Sequence, residues 1–334
     1  MSQICRIAMK SIPACSAGVA LCAWFNLAAA ATITTFDAAG GQTKTYPQSI
    51  SQAGITGYYY DSGNASHGFV RAVDGTITTF DVPGSVDTNA RSINTNGTVT
   101  GDYYDGSLGH GFVRAADGTI ATFDVPGSIY TVGSGINAHG AIAGYYVDSS
   151  SVDHGFVRGA NGTIATFDVP EAVQTLAVGI NRDGVVAGYY YDNSYNLPHG
   201  FVRAVDGTIT PFDVPGAVWT YALSINRQGE IAGYYHSSGQ ALAHSFVRAA
   251  DGTFTTFDNG SNGTFAQSIA NARITGYYLD GTYTNQGFVR FPNGAIRVFE
   301  APGATQTNPT SISGGEVTGW CGDSSGVHGF LRTP

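Results

Sequence analysis

A short pattern, Gly-Phe-Val-Arg or a close variant, recurs seven times in this 334-residue chain and restricts its possible folds more than any other feature. It begins at Gly68, Gly111, Gly155, Gly200, Ser245, Gly287 and Gly329, at spacings of 43, 44, 45, 45, 42 and 42 residues. Self-similarity at such a period marks a fold made of one supersecondary unit stacked on copies of itself. Three further segments keep step with it. An Ile-centred segment falls at Ile50, Ile93, Ile136, Ile180, Ile225, Ile269 and Ile312. A Gly-Tyr-Tyr segment runs from "ITGYYYD" at 55 to "VTGWCGD" at 317, and an Ile-Thr-Thr-Phe segment closes on an acid.

All four segments are short and rich in Ile, Val, Thr, Tyr and Phe, with Gly, Asn and Asp between them, which is the signature of strands joined by tight turns. "ADGT" and "NGT" mark a hairpin between the third and fourth segments, with Gly supplying the positive φ. A second hairpin, as in "INTNGTV", joins the first to the second. Only 12% of residues are charged and 43% are hydrophobic, so strand and turn formers displace the usual helix formers. Four antiparallel strands per repeat, seven times over, predict an all-β chain: a seven-bladed β-propeller of four-stranded antiparallel blades. Blades covered on both faces need apolar residues on both sides. Pairs such as Phe69 and Phe80 then contribute about 1.5–3 kcal/mol per buried ring.

The last repeat stops at "HGFLRTP" after three strands, whereas "TITTFD" at 32 to 37 is a fourth strand without the other three. The propeller is therefore expected to be closed by the N-terminal strand joining the last blade, which removes open sheet edges. Upstream, Arg6 and Lys10 precede an uncharged stretch ending in an Ala run at 28 to 31, the order of a secretory signal peptide over residues 1–30. An uncleaved anchor helix is the alternative; Pro13, Asn26 and the Ala run disfavour it. Residues 31–334 are then a single exported propeller domain. Cys321 is its only cysteine, so no internal disulfide is expected. Losing two positive charges takes the formal net charge from -9 to -11, which excludes nucleic acid and anionic membrane as natural partners.

The block from about residue 32 onward resembles the HAF-type extracellular repeat family through its His-Gly-Phe signature, present in five of the seven copies. His244-Ser245-Phe246 and Gln286-Gly287-Phe288 depart from it. The resemblance implies secretion and a propeller-like fold, and carries over no activity and no functional residue.

Before each third strand stands a His, and after each fourth strand an acid. Counting outward from the turn pairs His67 with Asp81, His110 with Asp124, His154 with Asp168, His199 with Asp213, His244 with Asp258, and His328 with Asp37. In the sixth hairpin both partners change, to Gln286 and Glu300, which predicts contact there too. A shared metal is excluded, because third strands of neighbouring blades stand ~10 Å or more apart and metal ligands must lie within about 2 Å of the ion. The pairs read as structural; no metal and no cofactor is expected.

Variation among the copies marks the candidate ligand site. Turns between strands one and two, and three and four, are short and share one face; the connections on the other face are longer and differ between copies, as in "SGNAS", "NSYNLP" and "SSGQALA". An invariant Thr falls between the fourth strand and the next blade, and the residues beside it vary. These are Lys44, Tyr46, Asp87, Asn89, Tyr130, Gln174, Trp219, Tyr221, Phe265, Gln306 and Asn308. With the Ile segment innermost, they ring the axial mouth. No Gly-x-Ser-x-Gly, phosphate loop, His-Glu-x-x-His or sialidase-type box is present, so no catalytic residue is assigned. The expectation is a secreted, monomeric, non-enzymatic module that binds an extracellular or envelope protein or glycan. Its alternatives are a polysaccharide lyase or hydrolase acting at the mouth, and a purely structural surface protein.

Overall fold

The computed structural model describes residues 31–38, 44–193, 197–239, 242–260 and 262–334. The expected signal at 1–30 lies outside them, as do the tips of two of the variable connections, at 194–196 and 240–241. The described residues form 28 strands and no helix.

The strands fall into repeated four-stranded antiparallel sheets. In the first unit, Lys44–Ser51, Gly54–Tyr60, Ser66–Arg71 and Ile77–Phe80 pair in chain order, with Tyr46 opposite Tyr58, Tyr59 opposite His67, and Phe69 opposite Thr79. Further units of the same order span 87–123, 130–167, 174–212, 217–257 and 264–299. The outer hairpin is fixed by its Asp-Gly turn: Thr76 N donates to Asp74 Oδ1 at 2.9 Å, and Gly75 takes φ 92°, a left-handed conformation that glycine adopts without steric cost. The inner hairpin is closed by Asn94, whose Oδ1 accepts from Asn96 N and Thr98 N.

The last unit holds Gln306–Ser313, Glu316–Gly322 and Val327–Thr333, and its fourth strand is the N-terminal Thr32–Phe36, paired from Thr32 opposite Thr333 to Phe36 opposite Gly329. The chain start therefore completes the last sheet.

Successive sheets pack face to face through one repeated contact. The third-strand Phe is fully buried in each unit and meets the fourth-strand Phe of the preceding unit edge-on, as in Phe80–Phe112 at 5.9 Å and Phe123–Phe156 at 6.0 Å between ring centroids. The same contact joins the sixth unit to the last, with Phe299–Phe330 at 5.9 Å, and crosses the chain ends, with Phe36–Phe69 at 6.1 Å. Such pairs contribute about 0.5–1.5 kcal/mol beyond burial. The Arg two residues further on lays its guanidinium over that fourth-strand ring, Arg114 over Phe80 at 4.8 Å and Arg71 over Phe36 at 5.1 Å.

The invariant Thr sits elsewhere than the sequence suggests. It lies inside the first strand of each unit rather than in the connection before it, and is buried; its hydroxyl accepts the backbone N–H that opens that connection, Val82 N to Thr88 Oγ1 at 3.2 Å and Ala301 N to Thr307 Oγ1 at 3.0 Å. Its invariance is thereby a matter of backbone satisfaction.

Candidate functional site: an axial channel with an aromatic mouth

Every first strand carries a register shift at the same place, between Pro47 and Ser49, Ala90 and Ser92, Gly133 and Gly135, Ala177 and Gly179, Ala222 and Ser224, Ala266 and Ser268, and Pro309 and Ser311; the fifth unit adds another between Ala217 and Trp219. A bulged residue has no ladder partner, and its side chain is re-aimed. Here the bulged residues are Gln48, Arg91, Ser134, Val178, Leu223, Gln267 and Thr310, and all of them line one cavity of about 240 Å³. Contributions from every first strand put this cavity on the axis about which the units are arranged.

The next position is Ser in most units, and its hydroxyl accepts the backbone N–H of the Ile in the following unit. Ser49 serves Ile93 at 3.3 Å, Ser224 serves Ile269 at 3.2 Å, and Ser311 serves Ile50 at 3.2 Å across the chain ends.

Toward the longer connections, a second cavity of about 280 Å³ shares Gln48, Arg91, Ser134, Val178 and Leu223 with the first and adds Tyr145, Leu176 and Tyr189. Tyr145, Leu176 and Tyr189 belong to a set of cross-strand pairs at one register position in every unit: Tyr46 with Tyr58, Asn89 with Asp102, Val132 with Tyr145, Leu176 with Tyr189, Tyr221 with Tyr234, Phe265 with Tyr277, and Asn308 with Trp320. These rings are half-buried and touch from unit to unit. One arc runs Tyr189–Tyr221 at 5.0 Å, Tyr221–Tyr234 at 5.0 Å, Tyr234–Phe265 at 5.2 Å and Phe265–Tyr277 at 4.8 Å. A shorter one joins Trp320, Tyr46, Tyr58 and Tyr60. Burial pushes the Tyr234 hydroxyl up to about 12, with the neighbouring Tyr277 and Tyr191 adding to it, so the phenols are neutral donors and acceptors.

The second unit departs from this pattern. Where the others carry an aromatic ring it has Asp102, fully buried, and the bulge beside it holds Arg91. Arg91 Nε donates to Asp102 Oδ1, while Oδ2 accepts from Tyr130 Oη at 2.9 Å and Asn89 Nδ2 at 3.2 Å. Burial would lower the Arg91 pKa, but the Asp102 carboxylate outweighs it and holds the guanidinium charged. Tyr130 reaches Asp102 by lying across Gly109, where a Cβ would fall 2.1 Å from its ring; the two residues also form a parallel bridge joining the second and third sheets.

The residues flanking the invariant Thr thus divide. Those after it, Tyr46, Asn89, Tyr221, Phe265 and Asn308, belong to the mouth pairs. Those before it stand two positions nearer the strand start and differ in role. Trp219 packs on His236 at 4.2 Å, and Tyr130 turns inward to Asp102. Asp87 ties down the preceding unit by accepting from Ser66 N at 2.8 Å. Lys44 is exposed, and Gln174 and Gln306 are half-buried. Asn308 accepts from Asn285 Nδ2 at 2.6 Å.

The His residues stand at the outer part of the same face. Nδ1 lies 2.8 Å from Asp81 in His67, 3.0 Å from Asp124 in His110, 2.9 Å from Asp168 in His154, 2.9 Å from Asp213 in His199, 3.0 Å from Asp258 in His244 and 2.8 Å from Asp37 in His328. A second acid, unforeseen from the sequence, faces Nε2: Asp61 at 3.5 Å, Asp105 at 3.3 Å, Asp148 at 3.6 Å, Asp192 at 3.6 Å and Asp323 at 3.4 Å. Its signal was present, since this Asp closes the Gly-Tyr-Tyr segment in most copies. The second Tyr of that segment stacks on the His, Tyr103 on His110 at 4.9 Å. Burial lowers the pKa of His67, His110 and His328, but the flanking carboxylates outweigh it and raise each above its ordinary value.

The sixth unit corrects one expectation. Gln286 Nε2 donates to Asp280 Oδ2 at 3.4 Å, and no hydrogen bond joins Gln286 to Glu300 among the described residues. The amide nitrogen here serves the acid of the second strand. Glu230 accepts from Asn226 Nδ2 at 2.6 Å, and Glu316 opens the second strand of the last unit. Among the described residues no His, Cys, Asp and Glu group has the geometry to hold a metal.

The chain is similar in structure to a streptogramin B lyase, with 13% identity, a TM-score of 0.61, and 91% of this chain and 98% of that one covered. Virginiamycin B lyase from Staphylococcus aureus gives 14% identity, a TM-score of 0.61, and 91% and 100% coverage. A prolyl endopeptidase gives 11% identity, a TM-score of 0.59 and 84% coverage of this chain, but only 46% of its own. At these identities the likeness shows a fold, and that fold is a β-propeller. No family model matches the sequence, and no curated protein matches it.

Proposed function

We propose that this chain is a secreted, seven-bladed β-propeller of the HAF-type extracellular repeat kind, which binds a glycan at its axial mouth without turning it over. The observation that carries the reading is the arc of half-buried rings from Tyr189 through Tyr221, Tyr234 and Phe265 to Tyr277, a surface on which the C–H faces of sugars stack. Binding is favoured over hydrolysis or elimination by the state of Asp102, the acid at the mouth. It is fully buried, paired with Arg91 and hydrogen-bonded by Tyr130 and Asn89, so it is not presented to a substrate proton. Tyr130 is no better as a base, since burial, with Asp102 beside it, raises its pKa.

The partner is extracellular or on an envelope, and the propeller acts as a monomer. A glycan array on residues 31–334, run beside polysaccharide-cleavage assays, tests this: saturable binding without turnover is expected, and turnover would replace the module by an enzyme. For an identified glycan, replacing Tyr221 and Phe265 together by Ala should weaken binding at least about tenfold, as loss of two aromatic anchors does; unchanged affinity would remove the mouth as the site.

A further inference from the structure

We infer that the glycan is acidic, and that its carboxylate seats on the Nη atoms of Arg91 in the axial channel. This rests on the glycan reading above and adds to it the charge of the ligand. Three observations support it.

Arg91 is the one charged side chain among the described residues lining the two axial chambers; the remainder are Gln, Ser, Thr, Gly, aliphatic residues and Tyr. A chain with 24 acids against 15 Lys and Arg has thus placed a lone cation on its axis.

The pairing with Asp102 uses Nε alone, and no protein hydrogen bond reaches Nη1 or Nη2 among the described residues. The Arg91 side chain is 36% exposed and lines both chambers, and its Nε is the atom turned to the fully buried Asp102. The Nη edge offers two parallel N–H donors, which match a carboxylate bidentately.

The repeats supply an internal control. The other units build the same bulge and mouth with a neutral residue and a ring, as in Ser134 with Tyr145 or Val178 with Tyr189. The sheet therefore needs neither Arg91 nor Asp102, and an ion pair kept at a position where neutral residues suffice is there for what it meets in the channel. Asp102, Asn89 and Tyr130 act as positioning residues that fix the guanidinium plane. A chamber of about 280 Å³ has room for roughly one or two sugar rings beneath the aromatic arc.

The test is calorimetric titration of residues 31–334 with short oligogalacturonides, their methyl esters and neutral galacto-oligosaccharides. The free acid is expected to bind at least about tenfold more tightly than its ester, the size of one charge-assisted contact. Arg91→Gln with Asp102→Asn removes both charges without stranding either, and should bring the acid-to-ester ratio of affinities to about one. Equal affinity of the wild type for acid and ester overturns the inference and leaves the glycan reading standing. A preference that survives in the double variant also overturns it, by locating the carboxylate elsewhere. Absence of binding to any sugar, on the array as in the calorimeter, overturns both. Should the double variant not fold, the acid-to-ester ratio on the wild type still decides.

Discussion

His328 and Asp37 lie 291 residues apart in sequence and meet at 2.8 Å, the same pairing that His110 and Asp124 make within one hairpin. They mark the point where the N-terminal strand completes the last sheet. Deleting residues 32 to 37 removes that strand and leaves Phe69 and Arg71 without Phe36. Losing such a packed ring costs about 3–5 kcal/mol, or a fall in Tm on the order of 10 °C in a chain of this size. Trimming Thr333 and Pro334 should cost far less. Equal melting of the two truncations by calorimetry would refute closure by this strand.

The His clamps give stability a pH dependence whose sign is fixed. His67, His110 and His328 have pKa values raised above 6.5, so their contribution is complete below about 6.5 and is lost as pH rises through the raised values. At the acid end, Asp280 is held at about 2 by Thr284 N and Thr282, and Asp323 at about 2 by Ser325. Their contribution is present above 3.8 and lost as pH falls through about 2. Thermal melts should be highest between these limits and decline toward pH 8, and His110→Gln should flatten the alkaline decline. A profile that rises from pH 6 to 8 contradicts the clamps.

Where most units have the seam-bridging Ser, the third and fourth have Gly135 and Gly179. A Cβ at Gly179 would meet nothing closer than Ile225 Cγ2 at 3.4 Å, with Ile225 N at 3.6 Å. Gly179→Ser should therefore install the missing hydrogen bond and raise stability by about 0.5–1.5 kcal/mol in denaturant titration. At Gly135 the backbone oxygen of Val178 is 3.2 Å away, so Gly135→Ser should gain less. A loss at position 179 would show that the seam does not work as described.

Gly109→Ala forces the Tyr130 ring off its seat and its hydroxyl away from Asp102, at a cost of about 1–3 kcal/mol. In a Tyr130→Ala background the ring is gone, so the same substitution should cost little. A double-mutant cycle reads the difference, and additive effects would mean that the two residues are not coupled.

Strands, hairpins and chain closure were legible in the sequence because each depends on residues close together or repeated in step. The pairs from His67–Asp81 to His328–Asp37 follow from counting outward from a turn. The invariant Thr was visible but misplaced by a few residues, since sequence marks a strand's middle better than its ends. The bulges were not legible at all: a register shift belongs to the pairing of two strands, and nothing in "QSI" or "RSI" distinguishes a bulged residue from an ordinary one. Arg91 and Asp102 were missed for the opposite reason. Each breaks the repeat, Asp102 by standing in "GDYYD" where Tyr is the rule, but reading along the common pattern passes over a departure confined to one copy. Gln286 and Glu300 changed together, yet the hydrogen bond that Gln286 makes goes to Asp280, an acceptor that counting outward from the turn does not reveal.

The bulges also separate two kinds of heritable change. Residues 48, 91, 134, 178, 223, 267 and 310 contribute side chains to the axis and no rung to any ladder, and the native chain already fills them with Gln, Arg, Ser, Val, Leu, Gln and Thr. Apart from Arg91, which pairs with the buried Asp102, and Thr310, whose hydroxyl donates to Pro47 O across the chain ends, selection can rewrite them one at a time without renegotiating how the sheets fit. The scaffold is in this sense evolvable by design of its backbone: a library randomised at these positions alone would sample new specificities while the surrounding architecture is inherited intact.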